Sequence, residues 1–505
     1  MKKTLTALLI LLIGTSVRHD AQGVAAAQPA QAAAAKDTAL EARIHRVEHG
    51  LLPAVVIKGA PPVAMDLAAR MQFYKVPGVS VAVINEGRVE WARGYGVKEV
   101  GKNEPVTPET LFQAGSISKP VAALAALRLV QEGRLNLDED VNAKLVSWHV
   151  PENEQTREQK VTLRRLLSHS AGLTVHGFPG YAAGTPMPTL VQVLDGVKPA
   201  NTEAVRVDTV PGTLWRYSGG GYTVIQQLLI DVVRKPFPEL MRQMVIDPLG
   251  LRHSTYEQPL PAPFAAMAAT AHNDGRPIDG RWHVYPEMAA AGLWTTPTDL
   301  ALIAIELQQA LAGRSDKVLA PATARQMVTA QMKSSGLGPM VMGTGPTARF
   351  SHGGVDEGFE ASWVAYETTG QGAVVMTNGS GGGALAEEIL RSIAGEYNWL
   401  DFAPRERALA TVDPQTLDAY AGTYEFHVSP AVTIKLVVTT GQGRLHTSQE
   451  GAPTTEWLPF SATEFFRTAS ETTLQFVKDA QGRGSELVIY QGGDVYRGQK
   501  IKPTS

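Results

Sequence analysis

Cysteine is absent from the 505 residues. That excludes disulfides, a thiolate metal site and a lipid-modified N-terminal cysteine. Long basic runs are also missing: 46 Lys+Arg stand against 49 Asp+Glu, a formal charge of −3, so nucleic acid is not an expected partner. The twelve histidines show no H-E-x-x-H or comparable ligand spacing, and no metal or cofactor is expected. No transmembrane segment is expected either, because the apolar run Leu5 to Gly14 is too short to span a bilayer. Preceded by Lys2 and Lys3, that run has the length of a signal-peptide core. The expectation is a leader over 1–27, a flexible Ala/Gln-rich segment over 28–45, and a periplasmic or secreted protein.

What is present is ordinary globular composition, 44% hydrophobic and 19% charged, in a chain long enough for two domains. Leu40 to Leu52 and Val63 to Tyr74 read as helices, the second broken by Pro77-Gly78. Val79–Ile84 and Arg88–Arg93 are β-rich runs joined by Asn85-Glu86-Gly87, a hairpin signal. Then comes a long helical middle: Val161 to Leu167 with Thr162 as N-cap, Leu190 to Leu194, Thr223 to Arg234 after a glycine-rich turn, and Asp299 to Leu311 capped by Thr298. Phe359 to Tyr366 and Ala373 to Thr377 are strands again, followed by a helix over Ala386 to Tyr397.

Strands at both ends of a helical insert imply an α+β domain over 46–400, in which one antiparallel sheet is built from both chain ends and a cleft separates it from the helical region. A linker is expected over 401–415. Short runs such as Val432–Val438, Arg444–Thr447, Thr473–Val477 and Glu486–Tyr490, separated by glycine turns, imply a small all-β barrel or sandwich over 416–505.

The candidate chemistry centres on Ser116 and Lys119, an S-x-x-K pair preceding the apolar run Val121 to Leu127. Three residues apart on a helix, the two side chains share a face, so the amine reaches the hydroxyl; Ser118 does not face it. A serine at a helix N-terminus also sits where backbone amides favour a developing negative charge, a suitable place for a nucleophile. Pro120 fits the first turn, where its missing N–H costs nothing.

With Ser116-Ile117-Ser118-Lys119 placed, other stretches fall into order: Val76 to Val83, Leu166-Leu167-Ser168-His169-Ser170-Ala171-Gly172-Leu173, Tyr217-Ser218-Gly219-Gly220-Gly221-Tyr222 and His352-Gly353-Gly354. Together they resemble the serine β-lactamase and penicillin-binding protein superfamily, whose signatures include S-x-x-K, and most closely the class C β-lactamases, DD-peptidases and related esterases. The resemblance spans about Val63 to Tyr397. It implies that Ser116 is the nucleophile, that Lys119 and Tyr217 share the proton traffic, with the choice of base open between them, and that His352 is a further catalytic residue that polarises the site or contacts substrate and Tyr217. It also implies that the backbone amides of Ser116 and Val355 hold the oxyanion, and that Gly353 and Gly354 let the strand approach the substrate.

Two positions depart from the superfamily pattern. Gly219 stands where Y-x-N has asparagine, at a substrate-binding position, and His352 stands where K-T-G has lysine, exchanging a permanent cation for a group mostly neutral at pH 7. Arg349 is a candidate to compensate. The implied function is an exported serine hydrolase cleaving an ester or amide bond through a serine acyl-enzyme. The alternatives are a true β-lactamase or D-alanyl-D-alanine carboxypeptidase or D-aminopeptidase and, in another class, a non-catalytic penicillin or peptidoglycan receptor. The implied partner is a small-molecule ester, amide or peptide, and a homo-oligomer is compatible with the sequence. The C-terminal stretch, from Tyr420-Ala421-Gly422-Thr423-Tyr424 onward, resembles the lipocalin-like domain appended in some relatives, with support favoured over ligand binding as its role.

Overall fold

The computed structural model describes residues 37–501 except 62, 430–431, 442, 450–453 and 492–493. The expected leader over 1–27 lies outside the described residues. Residues 37–48 form a helix, so helical order begins inside the stretch read as flexible up to 45. Among the described residues no helix is long and apolar enough to cross a membrane.

The central sheet has six strands in the order Arg88–Gly96, Gly78–Asn85, Gly372–Thr377, Phe359–Tyr366, Arg349–Asp356 and Met340–Met342, with every neighbouring pair antiparallel. The period-2 alternation of each strand divides its side chains between two cores. Val79, Val81 and Val83 join Val364, Val375, Leu385, Ile389 and Ile393 beneath the helix Gly382–Glu396. Ala82 and Ile84 join Trp363, Val374 and Met376 under the helical region, where the helix Pro297–Leu311 packs. This burial on both faces explains why Val79–Ile84 is a continuous apolar run rather than an alternating one.

Two helix starts differ from expectation for local reasons. Thr296, not Thr298, caps the helix Pro297–Leu311, accepting from the Asp299 amide at 3.2 Å, because Pro297 suits the first helical position. The glycines after Tyr217 are not a turn before a helix but its first turn: the helix runs Gly219–Val233, and Ser218 Oγ accepts from the Gly221 amide at 3.0 Å.

The C-terminal residues form a closed eight-strand antiparallel barrel, Gly422–Ser429 through Asp494–Ile501, with first and last strands paired at Thr423 and Ile501. Three of its strands, Gly422–Ser429, Thr455–Pro459 and Asp494–Ile501, are not delimited by the sequence pattern. Its interior is filled: Tyr420 stacks on Phe476 at 4.2 Å, and Phe465 and Tyr424 meet Phe476 edge-on. The expected linker contains order of its own, since Arg405–Arg407 pairs in parallel with Val55–Ile57. Ala54 and Val55 pack on Leu458 and Phe466 of the barrel, and the Val55 amide donates to Thr468 O at 3.0 Å.

Candidate active site

Gly115 lies in the left-handed region at φ +50°, so the chain makes a tight 3-10 turn over Gly115–Ile117 before the α-helix Ser118–Gln131 begins. Ser116 therefore sits in that turn, just ahead of the helix rather than in its first turn as expected. The helix is apolar around its circumference and buried from Ser118 to Leu127. Its one charged side chain at the site is Lys119, only 2% exposed, whose Nζ donates to Ser116 Oγ at 2.9 Å and to Ala290 O at 2.8 Å. Ser118 turns away: its Oγ accepts from the Leu293 amide and its carbonyl from the Tyr256 hydroxyl.

Tyr217 completes this cluster from the segment that leads into the helix Gly219–Val233. Lys119 Nζ lies 4.9 Å from its ring centroid, and the rings of His169, His176 and His352 lie 4.2, 5.1 and 6.2 Å away. His352 is on the strand Arg349–Asp356, where Phe350, His352, Gly354 and Asp356 are the buried face. Its Nδ1 is 2.6 Å from Gly353 O, and a carbonyl only accepts, so Nδ1 carries the proton of the neutral ring. Nε2 is then a free lone pair, buried and without a partner among the described residues. Burial, reinforced by the Lys119 charge, lowers the His352 pKa to about 4. His352 is therefore neutral at pH 7.

The strand presses against the Ser116 turn. A Cβ on Gly354 would lie 1.9 Å from Ala114 O, and one on Gly115 would lie 2.4 Å from the Val355 amide nitrogen, so both positions require glycine. This contact sets the Val355 amide beside the Gly115–Ser116 backbone. Gly353 is different: it is exposed, and a Cβ there would meet nothing nearer than Ala361 O at 3.9 Å.

The family model for Beta-lactamase matches residues 64–396, about two thirds of the chain. The chain belongs to that family. Among curated members, Protein flp of Staphylococcus aureus (strain N315) is 27% identical over 195 residues, covering 36% of this chain and 35% of its own length. The match thus spans about a third of that relative. The octameric penicillin-binding protein homologue from Pyrococcus abyssi superposes with a TM-score of 0.56 at 21% identity, over 86% of this chain and 98% of that one. The D-amino acid amidase from Ochrobactrum anthropi SV3, complexed with L-phenylalanine, gives 0.51 at 21% identity over 65% and 98%. These structural likenesses establish a shared β-lactamase-type fold.

Within this β-lactamase-type scaffold the surroundings of Gly219 and Arg349 are both filled. Gly219 is buried, its amide donates to His176 O at 3.0 Å, and Phe178 and His176 O crowd the place of a side chain. No group there is free to hold a substrate. Arg349 occupies the opposite face of its strand from His352; it pairs with Asp401 and stacks over Phe402 at 5.3 Å, away from Ser116. Its charge is taken up by Asp401.

Sequence reasoning passed over two buried carboxyls. Glu287 is fully buried, facing the Tyr181 hydroxyl and its own backbone amide, and Asp356 is 6% exposed, facing the Gly115 amide. Burial pushes the Glu287 carboxyl up to about 8, and pushes Asp356 well up against the pull of Lys119. Neither carries a motif; the available hint was Asp356 directly following the Val355 position. His169 and His176 were likewise given no role, although His169 lay within a quoted motif.

Proposed function

We propose that the protein is a serine hydrolase that cleaves an ester or amide bond in a small substrate through an acyl-enzyme on Ser116. The observation that carries this reading is the 2.9 Å contact between the buried Lys119 Nζ and Ser116 Oγ, with the Tyr217 ring beside the same amine. In the proposed first step the Ser116 hydroxyl gives its proton to the Lys119–Tyr217 pair as Oγ bonds to the substrate carbonyl carbon. The oxygen takes up the charge and is met by the Ser116 and Val355 amides. The tetrahedral species collapses, the bond to the leaving alcohol or amine breaks, and the leaving group receives the proton. Water, deprotonated by the same pair, then attacks the acyl carbon and releases the acid with Ser116 restored. Ala290 O steadies the lysine throughout.

Ester or amide turnover is preferred over penicillin turnover because none of His352, Arg349 and Gly219 supplies what a β-lactam carboxylate needs. His352 is neutral, Arg349 faces Asp401, and the Gly219 position is filled. In this reading the barrel supports the hydrolase, consistent with an interior occupied by Tyr420, Tyr424, Phe465 and Phe476. Export is part of the proposal and rests on the Lys2-Lys3 and Leu5 to Gly14 pattern alone.

A fluorophosphonate probe should label the purified protein once, at Ser116, and Ser116→Ala should abolish labelling. A panel of p-nitrophenyl acyl esters, D-amino-acid amides and a chromogenic cephalosporin then ranks substrates. Absence of labelling sinks the hydrolase reading, and preferred turnover of the cephalosporin overturns the ranking.

A further inference from the structure

The Tyr217 hydroxyl makes no hydrogen bond to any described residue, so nothing at its tip fixes the ring. Its orientation comes from its flanks, and one residue meets both. His169 O accepts from the Arg216 amide at 2.8 Å, and His169 Nδ1 accepts from the Ser218 amide at 3.2 Å. Between those two bonds the imidazole lies over the Tyr217 ring at 4.2 Å with the planes 31° apart. His169 is 2% exposed, with Tyr222 at 5.3 Å and Trp215 at 6.4 Å around it. It adopts φ +58°, a left-handed conformation uncommon for a residue with a side chain, though histidine is among the types that tolerate it. That conformation turns the carbonyl and the ring toward the same neighbour.

We infer that His169 is a positioning residue for the proton transfer proposed above: a neutral imidazole that clamps Tyr217 from both sides and holds its phenol at the Lys119–Ser116 pair. The inference rests on the reading of Tyr217 as a proton carrier. The Ser218 N–H fixes the tautomer, because Nδ1 accepts only when its proton is on Nε2. A ring protonated at both nitrogens would face the Ser218 donor with another donor. The surroundings oppose that state: burial first, then the positive charge of Lys119 from the adjoining helix, with His352 and His176 also facing the ring. The rest of the Tyr217 segment is tied to the same stretch as His169, through Arg216 to Gly172 O at 2.9 Å, Ser218 Oγ to Thr174 O at 2.8 Å and Tyr222 to Leu167 O at 3.0 Å. His169 lies nearest the ring, at 4.2 Å against 5.1 Å for His176, and is bonded to the residue on either side of it.

The alternative is a histidine that fills space, and a double-mutant cycle separates the two. His169→Phe keeps a ring and removes the acceptor. His169→Asn keeps an acceptor near the Nδ1 position and tolerates positive φ. On a p-nitrophenyl ester, His169→Phe should lower kcat by roughly 10- to 100-fold, with KM within about twofold, because a proton-transfer contribution is lost without loss of binding. His169→Asn should stay within about fivefold of wild type at an unchanged melting temperature, since the backbone acceptor is restored. In a Tyr217→Phe background, the His169→Phe effect should shrink to less than about twofold. The inference is overturned if His169→Phe costs the same factor in both backgrounds, if the loss follows the melting temperature, or if a well-folded His169→Asn is as slow as His169→Phe. Full activity in Tyr217→Phe alone would instead overturn the assignment of Tyr217, and this inference with it.

Discussion

Glu287 offers the sharpest quantitative test of the electrostatics behind the site. It is fully buried at the N-terminal end of the short helix Met288–Ala291, whose Ala290 carbonyl holds Lys119, and its carboxyl faces the Tyr181 hydroxyl and its own backbone amide, which offset only part of the cost of burial. Burial raises its pKa from 4.5 to about 8. An acid whose folded value is raised binds more protons folded than unfolded, so its contribution is favourable below about pH 4.5 and is lost as pH rises through about 8. Linkage across that window removes roughly 3–4 kcal/mol of stability between pH 5 and pH 8. Glu287→Gln keeps the shape and cannot ionise. The assay is urea unfolding of both proteins at pH 5, 6, 7 and 8, followed by tryptophan fluorescence, since all tryptophans except Trp457 precede residue 400. The unfolding free energy of the variant should exceed that of wild type by a margin that widens by roughly 3–4 kcal/mol from pH 5 to pH 8. His352 and His169 act in the opposite direction: their folded values are lowered, so their contribution is present above about pH 6.5 and lost on acidification. They are common to both proteins and cancel in the difference. Asp356, also raised, leaves a residual slope in the variant. Parallel pH profiles for the two proteins would refute the argument, because they would mean that Glu287 is ionised and compensated in the fold.

Three further outcomes follow from the site. Gly354→Ala should abolish fluorophosphonate labelling and destabilise the protein by several kcal/mol, about the cost of overpacking a closed contact, because its Cβ meets Ala114 O at 1.9 Å; Gly353→Ala should fold as wild type within about 0.5 kcal/mol. Equal behaviour of the two in thermal unfolding and labelling would refute the close approach. Ester turnover should show no His352 titration between pH 5 and 8 and should fall only as pH drops toward about 4, where that ring charges; a limb near 6.5 that vanishes in His352→Gln would contradict its burial. Phe476→Ala should cost the barrel roughly 3–5 kcal/mol by emptying its core, seen as an earlier barrel transition in calorimetry, and an unchanged profile would show that the interior is not packed as described.

The sheet was legible from sequence because Val79–Ile84 is rich in β-branched residues and Phe359–Tyr366 in aromatic ones, and because turn residues bracket both runs. Ser116 and Lys119 were legible because i to i+3 geometry is local. The errors arose where a third segment decides the outcome. Gly219 reads as a site residue until the loop at His176 and Phe178 is seen to fill its place, and Arg349 reads as a spare cation until strand alternation turns it toward Asp401. The barrel strand Asp494–Ile501 has Arg497, Gln499 and Lys500 on it, and its closing partner lies at the other end of the domain. Its polar face hid a strand that pairing completes. Glu287 could not be found from pattern at all, since its importance comes from burial that is decided in three dimensions.

The sheet that carries His352 also sets a schedule. Val81 pairs with Val375, about 300 residues later, and Val55 waits for Arg405, longer still. At a synthesis rate of about 5–20 residues per second, the first hairpin stands for roughly 15–60 s with its inner edge unpaired. The serine and its lysine are made early, yet the strand that presses Val355 against them follows more than 200 residues later. The nascent chain thus holds the Ser116–Lys119 pair without its Val355 neighbour, and under the proposed mechanism it cannot react until the strand Arg349–Asp356 has been made.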